Sequence, residues 1–329
     1  MRRWHGVISS ISRYHSIIFL LSLTITLFLW IDRGDQSDYP KVIPHGMRLA
    51  EKSDRRILAA QLIACDTTTG GGVGNVVFEL IAFQEIARKL YRSPAIYSDS
   101  STCLEKIATF VEHMPHLVDG FLIVKRPRFI PYPSKYPAHE CFDYFDPIST
   151  FQSVQHHRIV NTQFNYLQNV RFIDELMGSA ELQRRLAFSN QLLDVAKSSV
   201  YPEKIDEQTH NICVHVRRGD FMKEKFHLES EADFTVDATK YLIRKMHKRG
   251  ISQVRVFILG QDAAWARQIF AKASLRRKIN LTVIHSPSYL PSMIDWAFAK
   301  LYCDTTLLTD RVPTSPTHTE GLSTFFTQF

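Results

Sequence analysis

From residue 212 to residue 309, apolar runs of strand length alternate with segments whose apolar residues recur at helical spacing. No other feature of the chain constrains its fold as much. Ile212 to Val216, Val254 to Leu259, Leu281 to His285 and Thr305 to Thr309 are predicted strands. Asp237 to Lys248, Ala263 to Lys272 and Met293 to Tyr302 are predicted helices. Repetition of this kind predicts an α/β fold, a parallel sheet with helices on both faces. Ligands of such sheets bind beyond the C-terminal ends of the strands. Two polar sequences fall there: His215-Val216-Arg217-Arg218-Gly219-Asp220, and Gly260-Gln261-Asp262.

Two adjacent arginines and a histidine at the end of a core strand are costly to bury without a compensating anion. The planar fork of arginine matches phosphate oxygens, and its charge persists at any working pH. If strand alternation continues past Val216, His215 and Arg217 share one face and Arg218 takes the other. Arg217 is therefore the candidate for a diphosphate, with Arg218 in a supporting or edge position and Asp220 orienting an arginine. A structural ion-pair cluster is the competing reading. Arg218-Gly219-Asp220 as an adhesion tripeptide is disfavoured, because it leaves a core strand instead of projecting on a loop.

The first half carries one comparable unit. Ile57 to Cys65 is an apolar run, and TTTGGGVGN follows at residues 67–75. Val76, Leu80, Phe83, Ala87 and Leu90 then mark one face of a helix, and Ala95 to Tyr97 can form the next strand. Glycines such as Gly74 let the backbone approach a ligand, and the N–H groups at a helix start favour an anion or hydroxyl. A tight turn before a helix explains the same residues without a ligand. Residues 98–147 read as loops and short elements around an acceptor cleft. Glu181 to Ala196 reads as one helix.

Ser16 to Ile31 is uncharged and predominantly apolar, at the short end of what crosses a bilayer. Arg2, Arg3 and Arg13 precede it, and Asp32, Asp35 and Asp38 follow, so the positive-inside rule puts the rest of the chain in the lumen. An uncleaved anchor is favoured over a signal peptide, because no small-residue cleavage site follows. A lumenal domain meets oxidising conditions, and five cysteines leave at least one unpaired. Cys213, inside a strand pattern, reads as a buried thiol, and Cys103 with Cys141 as a candidate loop disulfide. The sole glycosylation sequon is Asn280-Leu281-Thr282. The net charge of +7 is spread over scattered basic residues, so nucleic acid is not an expected partner.

The segment ICVHVRRGDF (212–221) resembles the signature of the α-1,2-fucosyltransferase family, glycosyltransferase family 11. Four further segments resemble that family in order: GGGVGNVVFELIAFQEIARKL (70–90), YLQNVRF (166–172), VFILGQDAAWARQIF (256–270) and DWAFAKLYCDTTLLT (295–309). The resemblance covers roughly residues 60–309. It implies a GT-B-like fold of two Rossmann-type domains, here preceded by a single N-terminal transmembrane helix. The expected organisation is a cytosolic tail (1–15), a signal anchor (16–31), a stem (32–56), an acceptor-side domain (57–200), a donor-binding domain (201–309) and a C-terminal tail (310–329).

The resemblance also implies GDP-fucose as donor, a glycan with terminal galactose as acceptor, inversion at the anomeric carbon, and no required metal or other cofactor. His215 and Arg217 would hold the donor, Asp262 would accept hydrogen bonds from guanine, and Gly74 and Asn75 would belong to the binding segment. His215 and Asp220 are the candidates for the general base. The expected location is the Golgi membrane, single-pass type II. Asp310 to Gly321 departs from the family's third motif, which Ser323-Thr324-Phe325-Phe326 partly matches, so the end is expected to be atypical, with Ser323 and Thr324 as donor contacts. Two functional readings stay open: an active fucosyltransferase, and a membrane-anchored, non-catalytic relative that binds a nucleotide sugar, a glycan or a partner enzyme.

Overall fold

The computed structural model describes residues 40, 42–66, 72–126, 143–164, 166–200, 209–218, 229–260, 262–273, 280–283 and 291–309. The expected anchor at 16–31, Cys141, Asp220 and the tail at 310–329 with Ser323 and Thr324 lie outside the described residues. Among the described residues no helix is long and apolar enough to cross a membrane. The chain divides into two compact units between Leu186 and Ala187.

The first unit is built on β1 (Arg48–Leu49), β2 (Ile57–Leu62), the short α1 (Ile63–Asp66), α2 (Val73–Lys89), β3 (Ser93–Tyr97), α3 (Ser101–Val111), β4 (Leu122–Val124), α4 (Pro147–Thr150), β5 (Ile159–Phe164) and α5 (Ala180–Arg185). Its five strands pair in the order β1-β4-β3-β2-β5, every pair parallel. β2 lies inside the sheet between β3 and β5 and is nearly wholly buried, which is why its sequence is mostly apolar instead of alternating. The expected face of α2 is buried throughout: Val76, Leu80, Phe83 and Ala87 are fully covered and Leu90 almost so. Side chains of this size contribute roughly 1.5–3 kcal/mol each on burial.

Three expectations for this unit need correction. The stretch read as loops contains α3, which buries Cys103, Leu104, Ile107, Phe110 and Val111. The segment read as stem is not a free linker at its end, because β1 pairs with β4 through Arg48↔Leu122 and Leu49↔Ile123. Arg158 fastens the same segment by donating to the carbonyls of Glu51 and Asp54, both at 3.0 Å. The single helix expected over Glu181 to Ala196 is two, since Ser179 caps α5 through Leu182 N–H and Ser189 takes Leu192 N–H ahead of the next helix.

The second unit comprises α6 (Asn190–Val200), β6 (His210–Val216), α7 (Ala232–Lys248), β7 (Val254–Gly260), α8 (Ala263–Lys272), β8 (Asn280–Val283), α9 (Pro291–Tyr302) and β9 (Thr305–Leu308). Its strand order is β8-β7-β6-β9, again all parallel. Ile212, Val214, Val216, Val256 and Ile258 form one face of the sheet and pack with Leu242 and Met246 of α7 and Phe270 of α8. Phe257 points to the other face and meets Phe298 of α9, ring centroids 5.1 Å apart. Helices therefore cover both faces, as the alternation predicts. Phe188, just before α6, lies by Trp296 of α9 and under Lys300, which ties the stretch before residue 200 to this unit.

The cysteine reading is also corrected. Cys213 is not a free thiol but is bonded to Cys303, and Cys103 is bonded to Cys65. Pairing follows from which elements pack together: α3 brings Cys103 onto α1, just past the end of β2, with Cα atoms 4.6 Å apart, and the end of α9 brings Cys303 under β6, at 5.7 Å.

Candidate functional site

In the second unit the parallel order of β7, β6 and β9 brings three strand ends to one edge. They carry Val216 to Arg218, Gly260 with Asp262, and Leu308 to Thr309. β6 stops at Val216, so Arg217 and Arg218 leave the sheet, and the alternation expected to send them to opposite faces ends before them. His215, still in the strand, is partly buried, as are both arginines.

Arg218 is committed to the protein. Its Nε donates to Asp262 Oδ2 at 3.1 Å, and its Nη1 reaches Glu229 Oε1 and the Ser230 carbonyl, both at 3.3 Å. Its guanidinium lies 4.4 Å from the ring centroid of Trp265. Asp262 is the N-cap of α8, and its Oδ1 takes the Trp265 N–H at 3.1 Å. Among the described residues each carboxylate oxygen thus accepts one hydrogen bond and keeps a second lone pair. Asp262 adopts φ 64°, a left-handed conformation that Asp and Asn tolerate better than most residues.

Arg217 is held through its backbone. Its N–H donates to Ser230 Oγ at 2.8 Å, and its carbonyl accepts from Ser230 N–H at 2.9 Å. Ser230 Oγ meets Thr309 Oγ1 at 2.6 Å, and Thr309 Oγ1 donates to the His215 carbonyl at 2.7 Å. Because the single Thr309 proton goes to His215, Ser230 donates to Thr309. Both hydroxyl residues are fully buried. Neither carries a sequence signal, and both escaped the reading of the sequence.

β7 comes close to β6 at the same edge. Gly260 has φ 93°, and a Cβ there would overlap the carbonyl oxygen of Val216. Its N–H donates to Asp295 Oδ2 of α9 at 2.9 Å. Asn280 is the first residue of the edge strand β8, in register with Arg255.

The C-terminal edge of the first sheet carries Gly74 and Asn75, in the first turn of α2. No described atom lies within 4 Å of where a Cβ of Gly74 would sit, so packing against described residues does not require the glycine. Asn75 Oδ1 accepts from Gln168 Nε2 at 2.5 Å. Gln168 follows Tyr166 and Leu167, two consecutive left-handed residues at φ 65° and 45°. Such conformations cost on the order of 1–3 kcal/mol each and need a structure that holds them. Glu79 supplies part of it. This fully buried carboxylate accepts from the N–H groups of Tyr166, Cys65 and Ala64 at 3.1, 3.1 and 3.3 Å. Burial lifts its pKa to about 7 against these three hydrogen bonds. Asp66, beside it at the end of α1, is also raised by burial, with Ser100 opposing. Glu79 too was missed; its one signal is a carboxylate on a helix face otherwise apolar.

No protein-family model matches the chain. Two curated proteins of Caenorhabditis elegans, each named galactoside 2-alpha-L-fucosyltransferase, are similar to it. One is 28% identical over 260 residues, which is 73% of this chain and 62% of the relative. The other is 24% identical over 241 residues, 72% of this chain and 63% of the relative. The chain thus matches somewhat under two thirds of the length of each. The resemblance read from the motifs is borne out by these relatives.

Proposed function

We propose that this chain, similar to galactoside 2-alpha-L-fucosyltransferases, transfers L-fucose from GDP-fucose to the 2-hydroxyl of a terminal β-galactoside on a glycan. The observation that carries the reading is the strand-end arginine pair. Arg218 binds Asp262 through its side chain, and the backbone of its neighbour Arg217 is fixed on both sides by Ser230. An arginine held in this way suits a diphosphate, which it can meet with two parallel hydrogen bonds. In this reading the galactose hydroxyl attacks the anomeric carbon in line, the bond to GDP breaks on the opposite side, and configuration inverts. Arg217 offsets the charge gathering on the departing diphosphate, the role a metal ion takes in other transferases. The spare lone pairs of Asp262 accept from guanine N1–H and N2–H₂. His215 and Asp220 remain the proposed bases for the hydroxyl proton, and Gly74, Asn75, Ser323 and Thr324 belong to the same proposal as substrate contacts.

The GT-B arrangement, the type II anchor at 16–31, glycosylation at Asn280 and residence in the Golgi membrane complete the proposal. The two disulfides support the compartment, since such bonds persist where conditions are oxidising. The test is a transfer assay with GDP-fucose and a panel of β-galactosides, with linkage analysis of the product. A 2-linked fucosylated product is expected. GDP binding without transfer to any acceptor would instead favour a non-catalytic relative that binds nucleotide sugars.

A further inference from the structure

We propose that Ser230 and Thr309 are positioning residues for Arg217, acting through a buried relay of hydroxyls; the inference rests on the donor reading above. The relay runs Arg217 N–H to Ser230 Oγ, Ser230 O–H to Thr309 Oγ1, and Thr309 O–H to the His215 carbonyl, at 2.8, 2.6 and 2.7 Å. It starts and ends on backbone groups two residues apart at the end of β6. It therefore fixes the peptide planes on either side of Val216, where the chain turns out of the sheet. The direction in which Arg217 leaves the strand follows from those planes.

Three features separate this from incidental packing. Both hydroxyls are fully buried, so no water can replace a missing partner without cost. All the polar groups of Ser230 serve the arginine pair: its N–H and Oγ bind Arg217, and its carbonyl binds Arg218. Thr309 reaches the relay from the end of β9, which pairs with β6 only as far as His215↔Leu308. The relay thus continues the β6–β9 pairing by one step with side chains where the ladder stops. A chain of hydrogen bonds with one direction also polarises each member, which strengthens the set.

The experiment compares Thr309→Val, which keeps the volume and loses the hydroxyl, with Thr309→Ser, which keeps the hydroxyl and loses a methyl group. GDP affinity by calorimetry, KM and kcat for GDP-fucose, and melting temperature are measured on the full chain. Thr309→Val is expected to weaken GDP binding and raise KM by about five- to tenfold, the size of one net hydrogen bond. Thr309→Ser should bind GDP like the parent even though its melting temperature falls. Should Thr309→Val not fold, Ser230→Ala carries the same expectation. Parent-like GDP binding by the hydroxyl-free variants would overturn the relay. So would affinity losses that merely track melting temperature in both Thr309 variants. Failure of the parent chain itself to bind GDP would overturn the donor reading, and the relay's role with it.

Discussion

Arg218 and Asp262 lock the ends of β6 and β7 together: the guanidinium Nε donates to the same carboxylate that caps α8, at 3.1 Å. The pair is only partly exposed, with side-chain exposures of 15% and 31%. Asp262→Asn retains a good N-cap and a residue that tolerates the left-handed conformation. Its stability cost is expected to stay near 1 kcal/mol or below, the range for partly exposed pairs. Guanine offers donors, and an amide nitrogen in place of Oδ2 cannot accept them. GDP affinity should therefore fall while affinity for inorganic pyrophosphate holds. Calorimetry with the two ligands checks this, and an equal loss for both would remove Asp262 from the guanine site.

Arg217→Lys keeps the charge and most of the volume but not the planar fork. Its backbone bonds to Ser230 are untouched, so the strand end should survive. Losing a charge-assisted hydrogen bond costs about 1.5–3 kcal/mol, so GDP binding or transfer should fall roughly ten- to a hundredfold. Circular dichroism confirms the fold, and titration with GDP reads the loss.

Glu79 sets a pH dependence on the first unit. Its folded pKa of about 7 lies above the ordinary value of 4.5, raised by burial. Between those values the folded chain holds a proton that the unfolded chain has released. Stability from this group is therefore full below pH ~4.5 and declines as pH rises toward ~7. Denaturant midpoints at pH 5 and pH 8 should differ in the parent. In Glu79→Gln the contribution disappears, a difference on the order of 3 kcal/mol between the two pH responses. The variant should be less stable at both pH values, because the amide NH₂ faces one of the three backbone N–H donors.

Gly260 and Gly74 make opposite predictions under the same substitution. Gly260→Ala forces a side chain into a left-handed conformation and onto the Val216 carbonyl. It should cost about 3 kcal/mol or more, read as a shifted denaturant midpoint. Gly74→Ala meets no described atom and gains helix propensity, so stability should hold or rise by up to about 1 kcal/mol. A fall in transfer by Gly74→Ala with stability intact would place a substrate against that turn.

The sequence was most informative where local pattern and tertiary need coincide. Ala263 to Lys272 was bounded correctly because a capping aspartate starts the helix and its apolar residues keep one register. The face of α2 was legible because Val76, Leu80, Phe83 and Ala87 keep strict spacing. Helix α3 was not, because Ser101, Thr102 and Thr109 favour other backbone states and dilute the spacing of Leu104, Ile107 and Val111. The arginine pair was visible as charge at a strand end. Its supports were not: Ser230 and Thr309 are among the commonest kinds of residue, and only the parallel pairing of β6 with β9 brings them together. The disulfides were invisible for the same reason, since spacing does not encode which helix lies on which strand.

The spacing of those disulfides does bear on how the chain is made. Cys65 and Cys103 are 38 residues apart, whereas Cys213 and Cys303 are 90 apart. A ribosome adds about 5–20 residues per second, so Cys213 waits roughly 5–20 s for its partner to emerge. In the oxidising compartment proposed above, a waiting thiol can be joined to another free thiol in reach, the two electrons and two protons passing to that compartment's oxidant. Closure of Cys65 with Cys103 before Cys213 appears withdraws two competitors. Substituting Cys103 would thus injure the second unit, which it does not belong to, by leaving Cys65 able to capture Cys213 during synthesis.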